Sequence, residues 1–166
     1  GLIASGKKEL AYILEKQLFE IGAKTILLDG GSVRMGVSRE LDFSTADRAE
    51  HLRRVAEMCC LLNDQGLITI CSFISPNRGV RKQVAKIIGK ERFNLVYMNA
   101  DLEYCQQNDN RNLYKNAVSG MIKNLPGIDV EYEIPIDPIH SFSPENLELS
   151  ATEIINYLKE NEIMFC

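Results

Sequence analysis

The chain has 166 residues and a net charge of −4, a length that predicts a single domain with a substantial core. No basic cluster is longer than two residues and the longest apolar run, 67–74, has the length of a strand, so neither a nucleic acid nor a membrane is expected as a partner. The five cysteines include no C-x-x-C pair and only two histidines accompany them, which predicts reduced thiols, no metal site and a cytoplasmic protein.

The first eight residues match the phosphate-binding loop G-x-x-x-x-G-K-[ST] at every fixed position except the last. In such a loop the backbone around two glycines cradles a polyphosphate, the lysine reaches the β- and γ-phosphates, and the hydroxyl ligates Mg²⁺. We therefore predict that ATP binds at Gly1, Ser5, Gly6, Lys7 and Lys8, with Lys7 also a catalytic candidate. Because Lys8 replaces the hydroxyl, Mg²⁺ binding is expected to be weak or absent. A loop of this kind follows a strand, so we expect a first strand that is missing from the given chain.

Strands and helices alternate after this loop, which predicts an α/β fold with a parallel sheet and helices on both faces. Apolar residues at helical spacing indicate a helix from Lys7 to Ile21, and a buried run indicates a strand over 25–28 before a break at 29–31. The later predicted elements are a helix from the Ser44 N-cap to Gly66, strands over 67–74 and 93–98, helices over 80–88 and after Asp101, a strand near 147–149 and a helix over 152–158.

A lid-like segment is predicted over about 106–146, because residues 120–146 show no clear period and contain four of the five prolines. The whole chain, 1–166, is interpreted as one domain that begins at the phosphate loop.

Five further stretches, taken with the loop, resemble the adenylylsulfate kinases. They are LLDGGSVR at 27–34, LDFSTADRAEHLRRV at 41–55, FISP at 73–76, NLYKNA at 112–117 and IKNLPGID at 122–129. The resemblance covers almost the whole chain and implies a P-loop kinase fold, that of the nucleoside triphosphate hydrolases. It also implies transfer of the γ-phosphate of ATP to the 3′-hydroxyl of adenosine 5′-phosphosulfate.

The resemblance implies roles for individual residues. Arg34 and Arg48 would grip the phosphosulfate, a role suited to a planar guanidinium with five donors, and Phe43 would stack on the adenine. The other residues implied in the substrate site are Ile74, Ser75 and, in the lid, Lys123. Without the resemblance, a lone arginine is read as a surface charge and a lone phenylalanine as core.

Several positions depart from the family pattern together. Gly31 stands where the family has the aspartate that organises the metal and accepts the hydroxyl proton. His51 replaces an asparagine and Leu125 a second stacking phenylalanine in the substrate site, and the other departures are Lys8, Ser32, Asn77, Asn108 and Asn112. We therefore predict impaired catalysis. Asp29 is a weak candidate for a substitute carboxylate, since its alternative role is that of a turn residue at the end of a strand.

Three functions stay open from the sequence. The first is an adenylylsulfate kinase, impaired or tolerant of these changes. The second is a non-catalytic domain that senses adenylylsulfate or its 3′-phosphorylated product, or supports a fused or partnering ATP sulfurylase. The third is another small-molecule P-loop kinase, which the FISP, NLYKNA and IKNLPGID stretches disfavour. A homo-oligomer is compatible with each.

Overall fold

The computed structural model describes residues 1–163. In chain order the elements are α1 (Lys7–Glu20), β1 (Thr25–Asp29), α2 (Gly30–Met35), α3 (Thr45–Asn63), β2 (Ile68–Ser72), α4 (Arg78–Ile88), β3 (Val96–Met98), α5 (Leu102–Gln107), α6 (Leu113–Val118), β4 (His140–Phe142) and α7 (Leu147–Glu160). None of these helices is long and apolar enough to cross a bilayer. Residue Cys166, one of the five cysteines, lies outside the described part.

The strands form two parallel pairs. Strand β1 pairs with β2 in a register that places Thr25 opposite Ile68 and Asp29 opposite Ser72. Strand β3 pairs with β4, with Val96 opposite His140. Parallel pairs need crossover connections, and helices supply them here, as the alternating pattern predicts. Within residues 1–163, β2 and β3 do not pair with each other.

Helices cover both faces of these strands. On one face, buried residues of α1 and α7 form a single cluster with Ile70 of β2 and Met98 of β3. On the other face, Val55 and Cys59 of α3 pack with Leu28 of β1. A third cluster joins α5, α6 and segment 122–128 to the residues just after Gly1, so it holds the phosphate loop against the body of the protein.

The structure corrects three sequence predictions. The expected strand at 147–149 is the first turn of α7, because the Asn146 side chain accepts a hydrogen bond from Leu149 N and caps a helix there. The expected break after β1 is the start of α2, capped by Asp29. Strand β4 lies inside segment 120–146, which was expected to be irregular, and helix α6 lies in the earlier part of the predicted lid-like segment. Their register and packing are set by distant partners, which local periodicity does not encode.

Candidate functional site

The phosphate loop has the geometry of an anion cradle. Ala4 and Gly6 both have positive φ, 56° and 81°, which turns successive peptide N–H groups toward the concave side of the loop. The N–H groups of residues 3–6 donate to no acceptor within residues 1–163. They stand at the N-terminus of α1, a helix of 14 residues, where the helix dipole adds to the attraction for an anion.

Gly1 is required by close packing. A Cβ built on it would lie 2.6 Å from Ser5 Oγ and 2.7 Å from the Met98 carbonyl oxygen, both shorter than any van der Waals contact. Ser5 is fully buried, and its hydroxyl has no hydrogen-bond partner in the described residues. The loop is therefore packed tightly against β3 while its polar groups are left for a ligand.

Lys7 is held at the loop rather than in solvent. Its Nζ donates to the Leu2 carbonyl at 2.7 Å, and Tyr114 Oη donates to the Ile3 carbonyl at 2.9 Å. Burial is the main cause that lowers the pKa of Lys7 to about 8. An incoming phosphate would replace a neutral carbonyl as the partner of this ammonium group.

Lys8 forms an ion pair with Asp29, at 3.7 Å between Nζ and Oδ1. The carboxylate of Asp29 also caps α2: Oδ1 accepts from Gly31 N at 2.9 Å and from Ser32 N at 3.3 Å, and Oδ2 accepts from Ser32 Oγ at 2.5 Å. Partial burial pushes the pKa of Asp29 upward, but the hydrogen bonds from Ser32 and Gly31, with the charge of Lys8, outweigh it and hold the pKa below its usual range. Asp29 is thus a weak proton acceptor with both oxygens occupied.

This arrangement does not fit a magnesium ion at the usual place. An ammonium group about 4 Å from a divalent cation is repelled by up to on the order of 8 kcal/mol, twice the value for two unit charges at an effective dielectric constant near 20. The carboxylate of Asp29 is already paired with the ammonium group of Lys8. No group of three or more His, Cys, Asp or Glu residues within 1–163 is arranged to hold a metal ion.

A second group of predicted site residues surrounds Phe43. The guanidinium of Arg34 lies 4.6 Å from the centre of the Phe43 ring and that of Arg48 lies 5.2 Å from it. Arg34 is anchored by the Leu41 and Asp42 carbonyls, and Arg48 donates to the Phe43 and Asn124 carbonyls. Fold and local packing therefore bring two positive charges to one half-exposed aromatic ring.

His51 lies one helical turn after Arg48 on α3 and is buried, 4% exposed. Its ring contacts Phe73 at 5.4 Å, and its Nδ1 has no hydrogen-bond partner within residues 1–163. Burial, followed by the charges of Arg34 and Arg48, lowers the pKa of His51 to about 4. The imidazole is therefore neutral near pH 7, and the positive charge of this pocket comes from the arginines alone.

The remaining predicted site residues do not all lie in one place. Arg48 lines a cavity of about 170 Å³ with Pro76 and Asn77, so the end of the FISP stretch lies beside this arginine. Ile74 and Ser75 line a separate, larger cavity instead. Lys123 is exposed. Leu125 is 5% exposed and belongs to the cluster around Cys105 and Tyr114, so its side chain is packed in the core rather than facing Phe43. The structure does not bring Leu125 into the substrate group.

Sequence reasoning missed the buried arginine of α4. Arg81 is 6% exposed and donates to the carbonyls of Ser75 and Glu133. Glu133 in turn accepts from Asn77 Nδ2 and Arg78 N. These bonds attach one part of the lid-like segment to the start of α4. The signal available in the sequence was an arginine on the apolar face of an otherwise exposed basic helix.

Three of the asparagines that depart from the family pattern have structural roles. Asn77 caps α4 by accepting from Val80 N at 3.0 Å. Asn108 ends α5 and donates to the Tyr104 carbonyl. Asn112 has φ of 56°, and asparagine tolerates this left-handed conformation better than most residues after glycine. The replacement of the family's glycine at this position therefore preserves the backbone.

Comparison with known proteins decides the family. The family model described as adenylylsulphate kinase matches residues 1–140. The chain belongs to the adenylylsulfate kinase family. The APS kinase CysC of Mycobacterium tuberculosis, in complex with AMPPNP and APS, is 34% identical, with 96% of this chain and 94% of that chain covered and a TM-score of 0.91. The crystal structure of APE1195 is also 34% identical over 96% of this chain and 92% of its own, with a TM-score of 0.87.

Membership of the adenylylsulfate kinase family confirms the predicted P-loop α/β fold. A hexameric APS kinase from Thiobacillus denitrificans shares this fold at 23% identity, with a TM-score of 0.67, over 96% of this chain and 27% of that chain. The roles assigned to individual site residues, Lys7, Asp29 and Lys123 among them, stay predictions.

Proposed function

We propose that this adenylylsulfate kinase family member binds ATP and adenylylsulfate and carries out the family reaction, ATP + adenylylsulfate → 3′-phosphoadenylylsulfate + ADP, only weakly. The observation that carries the proposal is the ion pair between Lys8 and Asp29, at 3.7 Å. Lys8 stands where the loop motif has a metal-ligating hydroxyl, and its ammonium group engages the carboxylate of Asp29. Phosphoryl transfer depends on metal ions that bridge the β- and γ-oxygens, and a positioned base contributes about 10²- to 10⁴-fold.

Binding does not depend on the lost groups. The free N–H groups of residues 3–6, the helix dipole and Lys7 all favour a polyphosphate without a metal ion. Arg34 and Arg48 present planar donors to an anion, with Phe43 beside them as a surface for a purine. The M. tuberculosis APS kinase, whose structure contains AMPPNP and APS, supports the same pair of ligands here.

A non-catalytic sensor of adenylylsulfate or its 3′-phosphorylated product is the second candidate. The hydrogen bonds to both oxygens of Asp29 favour it, because they leave only a weak proton acceptor at the end of β1. Such a domain would act in the cytoplasm as part or partner of an ATP sulfurylase.

A coupled assay for ADP release, run beside calorimetry of each nucleotide, distinguishes the two candidates. The weak kinase is expected to bind ATP and adenylylsulfate and to turn over well below 1 s⁻¹, which is the low end of roughly 1–100 s⁻¹ for kinases. Binding with no turnover above the rate of the Lys7→Ala variant would favour the sensor. Absence of binding to any of these nucleotides at millimolar concentration would contradict both.

The affinity for ADP is expected to fall as the pH rises above 8. The pKa of Lys7 in the free protein is lowered to about 8, and a bound polyphosphate favours the ammonium form, so binding takes up a proton above that pH. Between pH 8 and pH 10 the affinity should drop by up to about tenfold per pH unit, whereas below pH 7.5 it should be flat. Calorimetry in buffers of matched ionic strength measures this slope.

Lys7→Arg is the matched control, because the guanidinium stays charged throughout this range. Its affinity for ADP should show little dependence on pH, whatever its absolute value. Equal slopes in the two proteins would assign the titration to another group.

A further inference from the structure

Lys8 stands beside the phosphate loop, on the first turn of α1. Side chains on a helix lean toward its N-terminus, which agrees with the contact between Lys8 and the end of β1. The ammonium group lies 3.7 Å from Asp29 Oδ1 and 5.7 Å from the centre of the Tyr12 ring. The side chain is 49% exposed. The charge of Lys8 is therefore held on the open side of the loop, where a bound anion would lie.

The contact between Lys8 and Asp29 is an ion pair and not a hydrogen bond. A separation of 3.7 Å between nitrogen and oxygen exceeds the roughly 2.7–3.2 Å of an N–H···O bond. Within residues 1–163, the Lys8 ammonium group donates no hydrogen bond to the protein. An ammonium group carries three N–H donors and no acceptor. All of these donors are therefore available to a ligand.

Asp29 keeps this ammonium group in a defined place. Its carboxylate accepts hydrogen bonds from Gly31 N, Ser32 N and Ser32 Oγ, which tie it to α2. A carboxylate with three such bonds has little freedom to turn. Because Lys8 is drawn to a fixed partner before any ligand arrives, less side-chain entropy is lost when the ammonium group then binds an anion.

Lys8 adds a second cation to a site that already holds Lys7. Lys7 Nζ donates to the Leu2 carbonyl of the loop, and no side chain within the described residues caps the N-terminus of α1. A metal-free nucleoside polyphosphate presents its full negative charge to both ammonium groups and to the helix dipole. Bound Mg²⁺ cancels part of that charge. The site therefore attracts the metal-free form more strongly.

The metal complex is disfavoured for a second reason. The loop motif places the metal ligand at residue 8, where this chain has an ammonium group in place of a hydroxyl. Like charges repel, and the carboxylate of Asp29 is already paired with Lys8. Binding of the metal complex would require Lys8 to leave Asp29, whereas the metal-free nucleotide uses Lys8 where it stands.

We propose that the Lys8 ammonium group is the cation of this phosphate site, and that its preferred ligand is a metal-free nucleoside polyphosphate whose binding Mg²⁺ opposes. Lys8 donates to phosphate oxygens from its place beside Asp29, while Lys7 donates from the loop. This role of Lys8 rests on the proposed function, because it requires a nucleotide in the loop. It adds the chemical form of that nucleotide and the sign of the response to Mg²⁺.

Calorimetry with AMPPNP, a non-hydrolysable analogue of ATP, tests this role when it is run in EDTA and in excess MgCl₂ at matched ionic strength. Lys8→Ser restores the hydroxyl of the motif, and Lys8→Gln keeps a similar length without the charge. Lys16→Gln is the matched control. It removes a lysine of the same helix that is 76% exposed and pairs with Glu20 on the surface.

The original protein is expected to bind AMPPNP at least about tenfold more tightly in EDTA than in MgCl₂, because a hydrogen bond to a charged group contributes roughly that factor or more. The Lys16→Gln variant should keep this ratio. Lys8→Gln should lose about tenfold or more in affinity in EDTA, which brings the ratio close to one. Lys8→Ser should lose as much in EDTA and should bind more tightly in MgCl₂ than in EDTA.

Equal or tighter binding in MgCl₂ by the original protein would overturn this role of Lys8 and leave the proposed function standing. A preference for metal-free AMPPNP that survives in the Lys8 variants would overturn it too, because the preference would then come from Lys7 and the loop. No binding of AMPPNP in either buffer would contradict both this role and the proposed function. If one of the Lys8 variants does not fold, the other decides the outcome.

Discussion

The double substitution of Lys8→Ser with Gly31→Asp is expected to raise Mg²⁺-dependent ADP release in the presence of adenylylsulfate by at least about a hundredfold, the low end of what a positioned base supplies. Lys8→Ser removes the ammonium group that lies 3.7 Å from Asp29 and introduces a hydroxyl. Gly31→Asp adds a second carboxylate beside Asp29. Two carboxylates and a hydroxyl are oxygen ligands of the kind that Mg²⁺ prefers.

The local structure accepts aspartate at position 31. Gly31 lies in α2 and not in the left-handed region, so a side chain meets no backbone strain. A Cβ there would lie 3.1 Å from Asp29 Oδ1, which requires a shift of a few tenths of an ångström in a side chain.

Neither single substitution is expected to suffice. Lys8→Ser alone leaves Asp29 tied to α2 as its cap, and Gly31→Asp alone places a new carboxylate where Lys8 can pair with it. Residues that act as a unit are strongly non-additive. Lys8→Ser with Gly31→Asn is the matched control, because asparagine has nearly the same volume without the charge. A folded double variant that binds both nucleotides without gaining turnover would show that other departures, such as His51 and Asn108, silence the site.

The Phe43→Ala variant is expected to lose about 5- to 150-fold in affinity for adenylylsulfate, which corresponds to the roughly 1–3 kcal/mol of a base stacked on an aromatic ring. The ring is 53% exposed, so its truncation leaves the core intact. It also supports the guanidinium groups of Arg34 and Arg48, 4.6 Å and 5.2 Å from its centre, so the loss includes their orientation. Calorimetry with adenylylsulfate measures the change.

Phe43→Tyr and Phe43→Leu separate stacking from simple burial. Tyrosine keeps the ring and should bind within about threefold of the original protein, whereas leucine keeps apolar volume without a π-face and should resemble alanine. The affinity for ADP, which depends on the phosphate loop, is the internal control and should not change. Equal binding by the alanine and tyrosine variants would place the purine elsewhere.

Local sequence signals predicted most of the helices because capping and apolar period act within a few residues. Ser44 and Asp101 accept hydrogen bonds from Asp47 N and Tyr104 N, as their positions before helical patterns indicated. The short strands were harder. The predicted strand over 93–98 is observed only at Val96–Met98, where β4 supplies a partner. Strand β4 itself is three residues long, too short for a period to be recognised.

The loop and the family followed from the sequence alone, since Gly1, Gly6 and Lys7 stand at fixed spacing and the flanking stretches match the adenylylsulfate kinases. The resemblance to the family also implied that Arg34, Phe43 and Arg48 belong to one pocket. Only the tertiary structure decided which candidates meet. It packs both guanidinium groups on Phe43 and buries Leu125 in another cluster.

The tertiary structure also determined which contacts Lys8 and Asp29 make at the altered metal site. The sequence shows that Lys8 and Gly31 differ from the family, but it does not show that Lys8 pairs with Asp29 or that Asp29 caps α2. Pairing between residues distant along the chain depends on packing in three dimensions, whereas capping, periodicity and motif spacing are properties of neighbours.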